Sequence, residues 1–421
     1  MKNMLLFEPA FKSLFRHFSK TAALMFLVVF ILIVPTSSFS ADYEKPIPLK
    51  AEDILSEKLL SSDYHQVEGE VENDGLFNTY KVRSPFGNFT IETTLRLKQL
   101  VHELRVVAEM RKVETDDTVV ASLQESGKNV AKGIGNIFSD PQGAFDGAVS
   151  GAQNIFGRAK ETVGKRKLSD AEDSRFEQLV GISKSKGEIA TQFGVSVYST
   201  NPVLQEELDR LGRADFAGGI GVGVLQSVIP GVGGMLLTVS GSTRLLNEVI
   251  NTTAASELWV RNKKALLELK ISEGTVEYFL NNPAYSPAQK TIITEALKKL
   301  RDVEGSNILL EIGLQASTFR MANVVTVFAG MVASYHKEVA PLKSLKPVAR
   351  FAYGIDKKGK TILLLPTDYL IWSERLYEVT KDLQSRSGEI WTLGNLSEIA
   401  KRELESHGWT IKTKVGEKLI Q

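Results

Sequence analysis

The chain has 421 residues, with 51 Lys and Arg against 50 Asp and Glu, a formal net charge of +1 and no cysteine. A balance this near neutral argues against bulk nucleic-acid binding, which wants a basic face. The missing thiols exclude disulfides, thiolate metal sites and cysteine nucleophiles, while 43% apolar and 24% charged residues describe an ordinary folded chain long enough for two or three units.

Lys2, Lys12, Arg16 and Lys20 give a basic leader, relieved only by Glu8. Thr21–Val34 is then an uncharged, mostly apolar run of 14 residues, stopped by Pro35 and followed by the small polar stretch TSSFSA. A spanning helix needs about 20 apolar residues, whereas a signal-peptide core needs roughly 7–15 and ends at small residues in the −3 and −1 positions. Ser38 and Ser40 satisfy that rule, so residues 1–40 read as a signal sequence cleaved after Ser40. No cysteine follows to carry a lipid. The competing reading is a retained anchor, because Phe7, Phe11, Leu14, Phe15 and Phe18 share one helical face. Cleavage takes the formal charge from +1 to −2 and sends the protein to the periplasm or exterior, with membrane association open to it.

Ala41–Lys50 is a proline-containing lead and Ala51–Ser61 a short helix. Val67, Gly69 and Val71 then alternate with Glu68, Glu70 and Glu72, and Asn73-Asp74-Gly75 supplies a hairpin turn. Tyr80–Arg83 and Phe89–Glu92, separated by SPFGN, complete a three-stranded antiparallel meander. Leu95 to about Ser126 returns to helical spacing. Residues 41–126 therefore form a meander plus a helix, and 127–167 a glycine-rich amphipathic segment ending in Arg158, Lys160, Lys165, Arg166 and Lys167. Residues 168–345 form a helical body, with helices near 174–190, 202–213, 242–270, 272–281, 287–303 and 306–340. Asn201-Pro202 and Ser286-Pro287 are N-cap and N1 pairs opening two of them. In 346–421, Val348–Tyr353 and Thr361–Leu365 flank the turn Asp356–Gly359. A helix (Asp368–Ser385), strand (Glu389–Leu393), helix (Ser397–His407) and strand (Trp409–Thr413) follow. Strands joined by helices make a parallel unit. The expected fold class is α+β: a mainly helical body, an N-terminal antiparallel meander and a small C-terminal βαβαβ domain.

Two places could carry function. Gly143, Gly147 and Gly151 stand four apart, as do Gly219, Gly223, Ser227 and Gly231, a spacing that lets helix backbones approach closely. The second set lies in Phe216–Thr243, 28 residues without a charge. Glycine costs about 1 kcal/mol in a helix relative to alanine, so eight of them there need a reason. Tight packing in a soluble core, contact with a membrane, and irregular loop are the three readings. The other place is the carboxyl end of the C-terminal strands, where open sheets bind ligands. There Thr367, Asp368, Gly394 and Asn395 offer a crevice, with Thr367 and Asn395 read as helix caps and Asn395–Glu398 as a capping box.

Catalytic machinery is thin. His65, His102, His336 and His407 lack metal-ligand spacing, His102-Glu103 lacks the second histidine four residues on, and no Gly-x-Ser-x-Gly elbow occurs. No catalytic residue, metal site or cofactor motif is singled out. In VYSTNPVLQEELDRL (Val197–Leu211), the following GRADFAGG and the NNPAYSP turn (Asn281–Pro287), the chain resembles a group of exported bacterial proteins with no assigned activity, a likeness that runs from the N-terminal meander through the final LESHGWTI. That resemblance implies export and no particular site residue. The expectation is a non-enzymatic envelope protein that contacts a membrane or a partner protein through its glycine-rich helices. The alternatives are a hydrolase or small-ligand binder using the C-terminal crevice, and a pore-forming effector.

Overall fold

Turn chemistry sets the N-terminal sheet. In the computed structural model, which describes residues 43–113, 181, 183–217, 244–381, 383 and 388–420, the Asn73 side chain accepts from Gly75 N–H and that of Asp74 from Leu76 and Phe77 N–H. Gly75 takes a φ of +92° there, as the predicted hairpin requires. The leader 1–40, the segment 127–167 and all of 216–243 except Phe216 and Ala217 lie outside the described residues.

The first six strands are β1 (Leu49–Lys50), β2 (Ser61–Ser62), β3 (His65–Val67), β4 (Glu70–Asn73), β5 (Asn78–Ser84) and β6 (Gly87–Glu92). β5 pairs antiparallel with β6 along one edge and with β3 and β4 along the other. β3 and β4 are thus one strand broken at Glu68-Gly69, and the expected meander stands, lengthened by the short β1 and β2. Two single helical turns, Ala51–Ile54 and Glu57–Leu60, replace the one predicted helix. Alternation buries Val67, Val71, Tyr80 and Val82. They meet Leu97, Leu100 and Leu104 of helix α1 (Thr94–Met110). The opposite flank of α1, through Val106, Val107 and Met110, packs on Phe193 and on Leu204, Leu208 and Leu211 of α2 (Pro202–Phe216). Asn201 caps α2 as predicted, its side chain accepting from Val203 and Leu204 N–H.

Two long predicted helices are each broken. The helix expected over 242–270 is α3 (Arg244–Thr252) and α4 (Ala255–Glu268). Asn251 turns its side chain onto the 195–197 backbone, donating to Val195 O and accepting from Val197 N–H, and Thr252 bonds back to Glu248 O. Such side-chain bonds compete with helix continuation. After α5 (Glu273–Asn281) and α6 (Pro287–Lys299), with the full Ser286–Gln289 capping box, comes the second break. The helix expected over 306–340 is α7 (Ile308–Leu314) and α8 (Phe319–Ser334), restarted by Thr318 as an N-cap for Met321 N–H. A π-helical turn, Tyr335–Val339, closes α8.

The C-terminal sheet has the order β13-β11-β9-β8-β7, from β7 (Leu342–Val348), β8 (Phe351–Asp356), β9 (Thr361–Leu365), β11 (Gly388–Thr392) and β13 (Trp409–Lys412). β9, β11 and β13 are parallel, linked through α9 (Glu374–Lys381) and α10 (Glu398–Ser406), so the βαβαβ unit is present. The expected strand Val348–Tyr353 is corrected. It straddles a turn at Ala349, whose φ is +48°, and the missed β7 precedes that turn. The helix expected from Asp368 starts only at Glu374, because β10 (Tyr369–Leu370) first pairs in parallel with β12 (Asn395–Leu396). A last short helix is α11 (Gly416–Leu419).

One apolar cluster joins α4 to α8 with this sheet, including Phe279, Tyr285, Phe328, Ile362 and Leu364. Phe328 meets Phe351 edge-on at 5.6 Å. Gly388 is required where it stands, since a Cβ there would lie 2.4 Å from the Trp409 ring and 2.9 Å from Thr361 O. Phe328→Ala is expected to cost about 3–5 kcal/mol, read as a lower urea midpoint with an unchanged m value.

Candidate interaction surface

The crevice residues come together, and the chain itself fills the space they frame. Beyond β9, the Thr367 hydroxyl is 2.8 Å from the hydroxyl of Thr392, Gly394 N–H donates to Thr367 O, and Asn395 N–H donates to Asp368 O. A Cβ at Gly394 would lie 1.7 Å from Asp368 O, so close backbone approach explains that glycine. Neither Thr367 nor Asn395 caps a helix. Ser397 caps α10 by accepting from Ala400 N–H, Ser373 accepts from Leu376 N–H at the start of α9, and Asn395 belongs to β12.

Asp368 faces the N-terminal sheet. Its carboxylate accepts from Asn78 N–H at 3.1 Å and from Thr94 N–H at 2.9 Å, one donor on each oxygen. Beside it, the Asn78 side chain donates to the Tyr80 hydroxyl, which is 2.7 Å from the Thr94 hydroxyl. Leu76 O accepts from Asp368 and Tyr369 N–H, and Gly75 O from Ile371 N–H. The β4–β5 turn of the N-terminal sheet therefore occupies the carboxyl ends of the C-terminal strands. Burial pushes the Asp368 carboxyl up to about 6 and outweighs its N–H donors.

The four described histidines are absorbed one by one into the scaffold. His65 lies between Ser62 Oγ and Leu59 O, His102 against Gly194 O, and His407 against Glu403 O, while His336 accepts Leu342 N–H. Glu103, which stands next to His102, is buried and accepts from Ser199 Oγ and Gln99 Nε2, both at 2.7 Å. Among the described residues, no group of three or more His, Asp or Glu side chains could hold a metal ion.

A few large apolar side chains are left at the surface. The exposed large apolar side chains among the described residues are Ile47, Phe216, Leu245, Val249, Val260, Leu267 and Tyr278. Six of the seven fall between 216 and 278, so the exposure is concentrated in one stretch of chain. Phe216 ends α2 and opens the uncharged run, while Leu245, near the start of α3, and Val249, one turn on, follow it. Leu245 is 74% exposed. On α4, Trp259, Val260 and Leu267 line a shallow groove of about 510 Å³ together with Lys263, Lys264 and Glu268.

Gly143, Gly147, Gly151, Gly219, Gly223 and Gly231 lie outside the described residues. Among those described, no helix is long and apolar enough to cross a membrane. Reading by periodicity misses Leu245 and Val249, which look like core positions. Their spacing in LLNEVI is that of an ordinary apolar stripe, and only the fold shows that Ile250 is buried while Leu245 and Val249 are exposed. Compared with known families, characterised proteins and solved structures, the chain matches none.

Asp368→Ala strands two backbone donors and is expected to destabilise by about 2–4 kcal/mol. The pH dependence follows from the raised carboxyl. The folded state holds this proton more tightly than the unfolded chain, so its contribution is full below about 4 and is lost as pH climbs through about 6, by about 3 kcal/mol. Urea midpoints from pH 7 to pH 4 should therefore rise for the wild type relative to Asp368→Asn.

Proposed function

We propose that this is a non-catalytic exported protein of the cell envelope that lodges on a membrane surface through Phe216–Thr243 and the apolar side chains flanking that run. The glycine-spaced segment around Gly143, Gly147 and Gly151 serves as a second contact. The observation that carries the reading is the concentration of exposed large apolar side chains between 216 and 278. Exposed large apolar side chains return roughly 25 cal/mol for each Å² removed from water when a surface covers them. The export signal supplies the compartment in which such a surface meets a bilayer. Eight glycines in the uncharged run give it the small-residue composition found where helix backbones approach closely.

A lipid-facing surface and a protein-facing one separate in a flotation assay with neutral phosphatidylcholine vesicles. The wild type is expected to float, and Leu245→Asp/Val249→Asp, which alters only exposed positions, to bind about tenfold more weakly or worse. A wild type that stays soluble without detergent and ignores vesicles would sink the membrane reading. So would capture of an envelope protein without vesicles, lost in the same variant.

A further inference from the structure

The fold directs lysines from three separate elements toward Glu389 and Trp391 of β11 in the C-terminal sheet. Lys357, Lys358 and Lys360 come from the β8–β9 turn, Lys412 ends β13 and Lys418 lies on α11, and all five are exposed. Lys360 bonds Glu389 at 2.8 Å, and the Lys418 ammonium sits 5.3 Å from the centre of the Trp391 ring. Trp391 is paired in register with Lys412 and stands edge-on to Tyr335 at 5.3 Å. Partial burial would raise the Glu389 carboxyl, but Lys360, the Trp391 N–H and Lys412 outweigh it and hold the group below the ordinary range. The sequence shows only the Lys357–Lys360 run; the fold adds Lys412 and Lys418 to it through Glu389 and Trp391.

Its charge is left over. Elsewhere Lys81, Lys112, Lys186, Lys263 and Lys298 each meet a carboxylate at 3.0 Å or less. Here Lys357, Lys358, Lys412 and Lys418 have no carboxylate at ion-pair distance among the described residues. Asp356 is buried and its side chain accepts from Lys358 and Lys360 N–H, Glu389 serves Lys360 and the Trp391 indole, and Glu417 is the exposed acid beside Lys418.

We infer that Lys357, Lys358, Lys360, Lys412 and Lys418 form a cationic rim that docks the protein on an anionic phospholipid surface. Flexible ammonium groups act as point charges suited to diffuse phosphates, without the bidentate fork of arginine. A single-stranded nucleic acid would also want aromatic faces for its bases, and Trp391 and Tyr335 are only 6% and 2% exposed. The inference rests on the envelope reading but uses a different surface, so the two can fail separately.

The test is co-sedimentation of the full-length protein with phosphatidylcholine vesicles, neutral or carrying about 30% phosphatidylglycerol. The wild type should bind the anionic vesicles about tenfold more tightly, an advantage that about 0.5 M salt removes. Lys357→Gln/Lys358→Gln/Lys412→Gln/Lys418→Gln should lose that advantage and keep whatever affinity the apolar segment gives for neutral vesicles. Equal wild-type binding to both vesicle types, or a variant that retains the anionic preference, overturns the rim assignment and leaves the apolar contact standing. Loss of neutral binding in Leu245→Asp/Val249→Asp with the anionic preference intact supports both surfaces. Tighter binding to a DNA duplex than to vesicles, abolished by the lysine substitutions, assigns the rim to nucleic acid and overturns the lipid assignment.

Discussion

A carboxylate taken out of water is costly unless hydrogen bonds replace its hydration, and Asp368 spends such a group on joining the two ends of the chain. Its partners, Asn78 and Thr94, lie 290 and 274 residues away in sequence. Thr94 is the first residue of α1, and its N–H is one of the donors that a helix start leaves unpaired. A carboxylate at that end also meets the positive pole of the helix. Asp368 thus completes a cap that Thr93 begins by accepting from Arg96 N–H. Thr93 holds a φ of +72°, unfavourable for a β-branched residue, and the surrounding bonds impose it. Arg320 of α8 closes the same junction from outside by pairing with Asp74 and with Glu92.

From that junction α1 organises what it touches. One face packs on the N-terminal sheet and another on α2. Its polar residues pin the 194–200 segment: His102 to Gly194 O, Glu103 to Ser199, and Arg96 to Thr200 at 2.6 Å. The side chains that most resemble catalytic candidates on composition are therefore consumed by scaffold bonds. Burial holds the Glu103 carboxyl above its ordinary value despite its donors, which fits a group placed for position. A perturbed carboxyl is a functional signal only when a cleft gives it something to act on.

Local chemistry made much of this fold legible from the residues. Alternation and the Asn73-Asp74-Gly75 turn gave the meander, Asn201-Pro202 and Ser286-Pro287 gave two helix starts, and the apolar TILLL gave a strand buried on both faces. The failures share a cause. Asn251 and Thr318 end or restart helices through bonds to backbone, one of them more than fifty residues distant, while the apolar period runs on past them. The crevice misled for a related reason. Thr367, Asp368, Gly394 and Asn395 do converge at strand ends, as the topology demands, but the occupant is a turn from the opposite end of the sequence, which no local pattern encodes.

The near-neutral composition conceals the same kind of long-range effect at the surface. A net charge of +1 argues against a strongly basic protein, and it constrains nothing about where single charges settle. Folding pairs many acids with nearby cations: Glu207 with Arg111 and Arg210, Glu273 and Glu277 with Lys263, Asp209 with Lys186. The lysines near Glu389 and Trp391 come from one turn, one strand and one short helix, and four of the five have no carboxylate at ion-pair distance among the described residues. Apolar residues follow the same logic, since α3 and α4 satisfy the core with one face and still carry Leu245, Val249, Val260 and Leu267 on another. The surface is therefore set by what the core and the Asp368 junction leave unpaired, which is why the composition cannot reveal it and the arrangement of the chain can.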